Sequence, residues 1–253
     1  MSESKSKIAG AVALIGIFVF LILGANAWKS SLRVKQIKID GNRLVSTNEI
    51  LQLTQIQNGS LLYQTDLTGI QRNLISHYYI KEAIVERNLP NTIHIQVIER
   101  IPIAMINASE PLYIDEYGTL LPKTVARKLF DLPLLSGLAM NQQLPLGTTL
   151  TIPDVQEALQ LLLALRVLNR PMYHMISEVQ LRSGGDIILY SAEGGVPIIF
   201  GHNELPSKLA RLEVFWNDIV RARGPQKLQY VDLRFQDQII ARWIPESSLL
   251  KKL

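Results

Sequence analysis

The stretch Ala83-Ile-Val-Glu-Arg-Asn-Leu-Pro-Asn-Thr-Ile-His-Ile-Gln-Val-Ile-Glu-Arg-Ile-Pro-Ile-Ala104 decides how the first half of this chain is read. Leu89-Pro90-Asn91 is a turn signal, and residues 83–87 and 93–99 on either side read as strands. In the second, Ile93, Ile95 and Val97 alternate with His94, Gln96 and Ile98. Period two is the pattern of a strand with one buried face. The segment therefore predicts a hairpin.

Working outward toward the N-terminus, residues 34–40 (VKQIKID) predict a short strand with Ile37 and Ile39 on one face. Gly41-Asn42 marks a turn. Ser46 or Thr47 is placed to cap a helix carrying Ile50, Leu51 and Leu53, and Asp66 to cap another with Ile70, Leu74 and Ile75 at helical spacing. Residues 34–100 thus read β-α-α-β-β.

Further upstream, residues 8–27 (IAGAVALIGIFVFLILGANA) contain no charge. A helix of about 20 residues spans about 30 Å, the thickness of a bilayer's hydrocarbon core. Trp28 follows at the far interface, where indoles concentrate. Ala25-Asn26-Ala27 has the form of a signal-peptide cleavage site, but the 17-residue apolar run before it exceeds the usual 7–15. An uncleaved anchor is expected. Lys29, Arg33, Lys35 and Lys38 after the span outnumber the basic residues before it, but long domains translocate largely regardless of their charge. A very short N-terminus before one span and a large domain favours residues 1–7 cytoplasmic and the bulk of the chain outside.

Residues 102–245 form a second region. Leu112-Tyr-Ile-Asp-Glu-Tyr-Gly-Thr-Leu-Leu-Pro122 predicts a hairpin turning at residues 115–118. Pro153 and Asp154 open a leucine-rich helix over 155–168. It is too short to cross a bilayer and contains Glu157, Gln160 and Arg166, so it is expected in the core. Strands at 176–182, 187–190 and 196–201 are separated by turns at Ser183-Gly-Gly185 and Glu193-Gly-Gly195. A helix over 204–222 then presents Leu205, Leu209, Leu212, Phe215 or Trp216, and Ile219 on its apolar face. Strands at 228–235 and 238–243 end the region, leaving a tail, 246–253.

The chain has no cysteine, so neither disulfide nor thiolate chemistry is available. Its net charge of +4 is modest and its basic residues are scattered, which argues against nucleic-acid binding. His77, His94, His174 and His202 show no metal-ligand spacing and read as surface or loop residues. Asp115-Glu116 reads as turn chemistry, since adjacent side chains point apart. The Gly-Gly pairs lack the helix and Lys-Ser/Thr of a phosphate loop, and no serine sits in a nucleophile elbow. No catalytic, cofactor or metal site is expected.

The final hairpin is the candidate site. Val231, Leu233 and Phe235 share one face of its first strand, Tyr230, Asp232 and Arg234 the other. On the second, Ile239, Ala241 and Trp243 alternate with Ile240 and Arg242. Val231, Leu233, Ile239 and Ala241 read as core, while Phe235 and Trp243 lie at strand ends, where an aromatic can anchor a partner. An edge strand leaves backbone donors and acceptors that an incoming strand can pair with.

On these residues the chain resembles the FtsQ/DivIB family of bacterial cell-division proteins from end to end. The β-α-α-β-β order resembles a POTRA domain. Val97-Ile-Glu-Arg-Ile-Pro-Ile-Ala104 is similar to the junction that closes it, the residue 115–118 turn is similar to the family's Asp-x-x-Gly hairpin, and Tyr230-Val-Asp-Leu-Arg-Phe235 is close to the family's sequence at that position. The resemblance implies an α+β protein: one transmembrane helix (8–27), a POTRA-like domain (28–101) and a mixed-sheet β domain with helices (102–245). It implies a non-enzymatic division scaffold in the inner membrane at the septum.

It further implies that the C-terminal edge accepts a strand of a FtsB/FtsL-like single-span coiled-coil partner. Phe235 and Trp243 match the family's aromatic contacts, and residues 236–242, including Gln236, Asp237, Gln238, Ile239, Ile240 and Arg242, match the augmented strand. Arg211, on the preceding helix, is a weaker candidate for pairing with an acidic partner residue. The turn Gln236-Asp-Gln238 departs from the family in lacking a glycine. The POTRA-like module offers a further docking edge for other division membrane proteins. The alternative is a POTRA-bearing envelope translocation or chaperone component that binds extended client peptides.

Overall fold

In the computed structural model, which describes residues 2–108, 110–123, 130–138, 145–182 and 185–245, the chain divides into two units at Glu99/Arg100. The fold is α+β.

Helix α1 (Ser2–Ser31) opens the first unit. Among the described residues it is the one helix long and apolar enough to cross a membrane, over Ala13–Ser31 with mean hydropathy 1.7 and no side chain buried. Leu14, Phe18, Phe20 and Leu23 are all exposed. A helix that is apolar all round needs an apolar solvent.

Strand β1 (Gln36–Asp40) follows, then α2 (Thr47–Thr54), α3 (Leu67–Ile75), β2 (Ile80–Asn88) and β3 (Thr92–Glu99). The sheet order is β1-β3-β2, with β1 parallel and β2 antiparallel to β3. Ser46 caps α2 by accepting the Glu49 N–H, and Asp66 caps α3 by accepting that of Gly69. Ile93, Ile95 and Val97 are buried while Ile98 is half exposed, so the period-two reading holds residue by residue. Ile50, Ile70 and Leu74 enter the core. Leu51 and Ile75 do not: each lies about 100° round its helix from a buried neighbour.

The Val97–Ala104 junction serves both units. The Glu99 carboxylate accepts the Leu44 N–H at 2.8 and 3.0 Å and the Val45 N–H at 2.8 Å, holding the loop that enters α2. Gly41, at φ +92°, begins that loop, and a Cβ there would sit 2.1 Å from the Val97 carbonyl oxygen. Arg100 belongs to the second unit, where its guanidinium pairs with buried Asp115 at 2.9 Å.

The second unit is built on one mixed sheet. Its strands are β4 (Pro102–Ile106), β5 (Leu112–Asp115), β6 (Leu120–Pro122), β7 (Leu134–Ser136), β8 (Ile176–Leu181), β9 (Ile187–Ser191), β10 (Pro197–Gly201), β11 (Leu228–Asp232) and β12 (Ile240–Trp243). They are ordered β12-β11-β10-β9-β8-β7-β4-β5-β6. Helix α4 (Pro153–Leu168) buries Val155, Ala158, Leu159, Leu161, Leu162 and Leu165 in the core, the place expected of it. Pro171 lies in the first turn of α5 (Arg170–Met175), a position that tolerates proline.

Helix α6 (Leu205–Phe215) passes into a π-helical turn at Trp216–Val220. Leu209, Leu212 and Trp216 are buried, but the next buried residue is Val220, and Ile219 is 40% exposed. The expected face fails there because a π turn spends an extra residue and moves the buried position on by one. Of the two Gly-Gly turns, Gly194 and Gly195 both take positive φ, while Ser183 and Gly184 lie outside the described residues.

Candidate partner interface

Strands β11 and β12 form the margin of the sheet. β11 runs parallel to β10, pairing Ile198 with Val231 and Ile199 with Asp232. β12 runs antiparallel to β11, pairing Tyr230 with Arg242, Val231 with Ala241 and Asp232 with Ile240. β12 is the terminal strand, and among the described residues no strand pairs with its outer side. The tail 246–253 lies outside the described residues.

Side chains on β12 alternate as expected. Ile239, Ala241 and Trp243 pack partly buried against the core, while Ile240 is 38% exposed and Arg242 is exposed. Val231 and Leu233 are fully buried; Phe235, expected on their face, is 48% exposed. Trp243 is half-buried, with the Arg223 guanidinium 5.0 Å from its ring centre, a cation–π contact. Arg223 carried no sequence signal, because the pair is brought together only by the return of the chain.

Both strands are shorter than the expected 228–235 and 238–243, and the reason is local. The Asp232 carboxylate accepts the Arg234 N–H at 3.0 Å, a two-residue side-chain turn that draws the chain out of the ladder. Asp237 takes φ +57° in the turn that follows. Aspartate tolerates that left-handed conformation better than most residues, so a turn without glycine forms here. Arg211 completes it: its Nη1 donates to the carbonyls of Phe235 and Gln238, both at 3.1 Å. Its Nε and Nη2 are shielded from solvent, with no acceptor among the described residues. Arg211 therefore organises the loop that carries Phe235, Gln236, Asp237 and Gln238.

Asp232, placed by the strand pattern on the side away from the core, is only 5% exposed. It is covered by Arg234, whose Nε reaches Oδ1 at 3.1 Å and whose Nη2 reaches Oδ2 at 2.8 Å. Arg234 also reaches Asp186 at 2.9 Å, tying the hairpin to the β8–β9 connection. Burial would raise the Asp232 pKa, but its bonds to Arg234 outweigh burial and hold the carboxyl below its ordinary range. Gly201, at φ +67°, leaves space for Arg234: a Cβ there would lie 2.8 Å from the Arg234 Cγ.

A second polar cluster sits behind the hairpin. His202 Nδ1 bonds the Glu157 carboxylate at 2.5 Å, and the Asn203 N–H donates to the same group at 2.7 Å. Glu157 raises the His202 pKa. Buried Lys208 donates to the carbonyls of His202 at 2.6 Å and Phe200 at 3.0 Å. His77 and His94 also bond carboxylates, Glu49 at 3.1 Å and Asp40 at 2.7 Å. Reading these histidines as plain surface or loop residues missed their partners, which are far away in sequence; only His174 lacks such a bond among the described residues. Asp115 accepts the N–H groups of Tyr117 and Thr119 as well as Arg100, so its carboxylate is occupied by turn and junction contacts.

Comparison with known proteins covers both units. Residues 32–100 match the family described as POTRA domain, FtsQ-type, and residues 101–242 match FtsQ/DivIB, C-terminal related. The chain is 29% identical over 235 residues to the cell division protein FtsQ of Syntrophotalea carbinolica, covering 92% of this chain and 80% of that protein. It is 30% identical over 217 residues to FtsQ of Geobacter sp. strain M21, covering 83% and 76%. It is also similar to the cell division protein DivIB of Clostridium acetobutylicum, 32% identical over 89 residues, 35% of this chain and 36% of that protein.

Proposed function

Because the chain belongs to the FtsQ/DivIB family of cell-division proteins, we propose that it is a non-enzymatic division scaffold whose β12 edge receives a strand from a FtsB/FtsL-like single-span coiled-coil partner. Helix α1 anchors it in the inner membrane with residues 1–7 in the cytoplasm and the POTRA-like and β domains on the far side, at the septum. The POTRA-like unit makes further contacts with other division membrane proteins.

The observation that carries this reading is the terminal position of β12, with Ile240 and Arg242 turned outward. A strand laid along it gains backbone hydrogen bonds, which supply affinity, while alternate side chains set register. Phe235 and Ile240 offer apolar contact, and Arg242 a cation. Such a surface suits a partner strand that carries an apolar and an acidic residue two positions apart, on one face. Arg211 contributes by holding the loop on which Phe235 sits.

The test is crosslinking in living cells, with a photoreactive residue placed in turn at Phe235, Ile240, Ala241 and Trp243. One adduct with a small single-span coiled-coil protein, strong at Ile240 and weak at inward-facing Ala241, is expected. Ile240→Pro should remove it, since proline deletes a donor and stiffens the strand. Many client adducts would favour a translocation role instead, and no adduct at any position would place the partner face elsewhere.

A further inference from the structure

Immediately after α1, the chain is tied to the loop that precedes α3. Val34 N–H donates to the Ser60 carbonyl at 2.9 Å, Gly59 N–H to that of Val34 at 3.1 Å, and Leu62 N–H to that of Leu32 at 2.8 Å. Arg33 and Leu61 form an antiparallel bridge, and Arg33 Nη1 reaches the Gly59 carbonyl at 2.8 Å. The loop is thus held within a few residues of the end of the apolar helix.

Lys29 is two residues beyond the uncharged run, about 3 Å along the helix axis. Its Nζ lies 5.8 Å from the centre of the Tyr63 ring, and the Arg87 guanidinium lies 5.6 Å from the same ring. Tyr63 is 39% exposed and Trp28 54% exposed. Arg33 and Lys35 are also exposed.

The charge here is mostly basic. Residues 28–38 (WKSSLRVKQIK) contain no acidic side chain and four basic ones, of which Lys38 pairs with Asp40. Residues 55–65 (QIQNGSLLYQT) contain no charge, with Asp66 next along capping α3. Among the described residues none of Lys29, Arg33, Lys35 or Arg87 forms an ion pair. Arg87 instead donates to the carbonyls of Leu62, Tyr63 and Thr65, so a full positive charge is built into the loop.

From this geometry we infer that the base of the POTRA-like unit is a binding surface for anionic phospholipid headgroups, with Lys29, Arg33, Lys35 and Arg87 as the cations and Trp28 and Tyr63 as the interfacial aromatics. The inference rests on α1 crossing the bilayer. That crossing brings residues 29–35 and the paired 59–63 loop to headgroup depth. Amphipathic rings favour that depth. Unpaired basic residues close to an anionic surface are each attracted to it, over a range of about a Debye length. The lipid then fixes the tilt of the unit above the membrane, which the helix alone leaves free.

The full chain, purified in detergent with equimolar phosphatidylglycerol and phosphatidylcholine, is examined by native mass spectrometry for retained lipid. The wild type should retain phosphatidylglycerol over phosphatidylcholine by about tenfold. Lys29→Gln/Arg33→Gln/Lys35→Gln should bring the ratio to within about twofold of unity. Arg33→Lys, which keeps the charge, should preserve the preference. Removing the same number of exposed charges from the second unit, with Arg170→Gln/Arg182→Gln/Arg221→Gln, should also preserve it. An equal ratio for wild type and the first variant, or equal loss in the second-unit variant, overturns the inference. Flotation with liposomes separates this from the anchor itself. Protein that floats without lipid preference keeps the membrane helix and refutes the headgroup surface, whereas wild type that fails to float refutes the anchor.

Discussion

Arg234→Ala should destabilise the second unit more than Asp232→Ala, although the two residues share one ion pair. The Asp232 side chain is 7% exposed and the Arg234 side chain 44%. Removing Arg234 strips the buried carboxylate of its bonds to Nε and Nη2 and leaves it, among the described residues, one donor, the backbone N–H of residue 234. Leaving a buried charge without its partner costs about 3 kcal/mol once the partial exposure of the pair is allowed for, about a 150-fold change in the folding equilibrium. Removing Asp232 instead leaves a guanidinium that water can reach and that keeps Asp186 at 2.9 Å, at a cost of about 1 kcal/mol. The double variant should resemble Asp232→Ala alone, because the buried carboxylate that lost its partner is absent from it.

The assay is urea unfolding followed by tryptophan fluorescence, with buried Trp216 reporting on this unit. The pH dependence adds a second check. In the wild type the depressed Asp232 pKa contributes stability that is present above its ordinary value of 3.8 and lost as pH falls through the folded value. In Arg234→Ala burial acts without the guanidinium and favours the neutral acid, so the deficit relative to wild type should shrink on acidification. Equal losses in the two single variants, a larger loss in Asp232→Ala, or a deficit that does not change with pH would refute the reasoning.

Three further outcomes are expected. Glu99→Ala removes the acceptor of the Leu44 and Val45 N–H groups and should cost about 2 kcal/mol, seen as faster hydrogen exchange in the 41–54 segment, with Glu99→Gln losing less. Gly41→Ala forces a Cβ onto the Val97 carbonyl at positive φ and should cost at least about 2 kcal/mol in chemical denaturation. The Glu157–His202 pair should stabilise the fold most between the two ordinary values, 4.5 for Glu157 and 6.5 for His202. The contribution of His202 is complete below its ordinary value of 6.5 and is lost as pH rises through the raised one, while that of Glu157 is lost as pH falls through its depressed one. The difference in Tm between wild type and His202→Asn should therefore diminish on going from pH 6 to pH 9, and a flat difference would contradict the assignment.

Much of this architecture was legible in the chain because it rests on local periodicity and local capping. Twenty uncharged residues specify an apolar helix long enough to cross a bilayer, and alternation at Ile93, Ile95 and Val97 specifies a half-buried strand. Ser46 and Asp66 announce the starts of α2 and α3, because each cap bonds an N–H three residues away. The alternation of Ile239, Ala241 and Trp243 with Ile240 and Arg242 was likewise written in the hairpin itself. What tertiary structure alone decided involves groups far apart in sequence. The burial of Asp232 depends on Arg234 lying across Gly201 toward Asp186, and Arg211 meets carbonyls 24 and 27 residues away. His202 finds Glu157 from 45 residues distant. Residue spacing encodes which face a side chain occupies, but not which distant charge or carbonyl waits there; that is settled only when β10, β11 and α6 pack together.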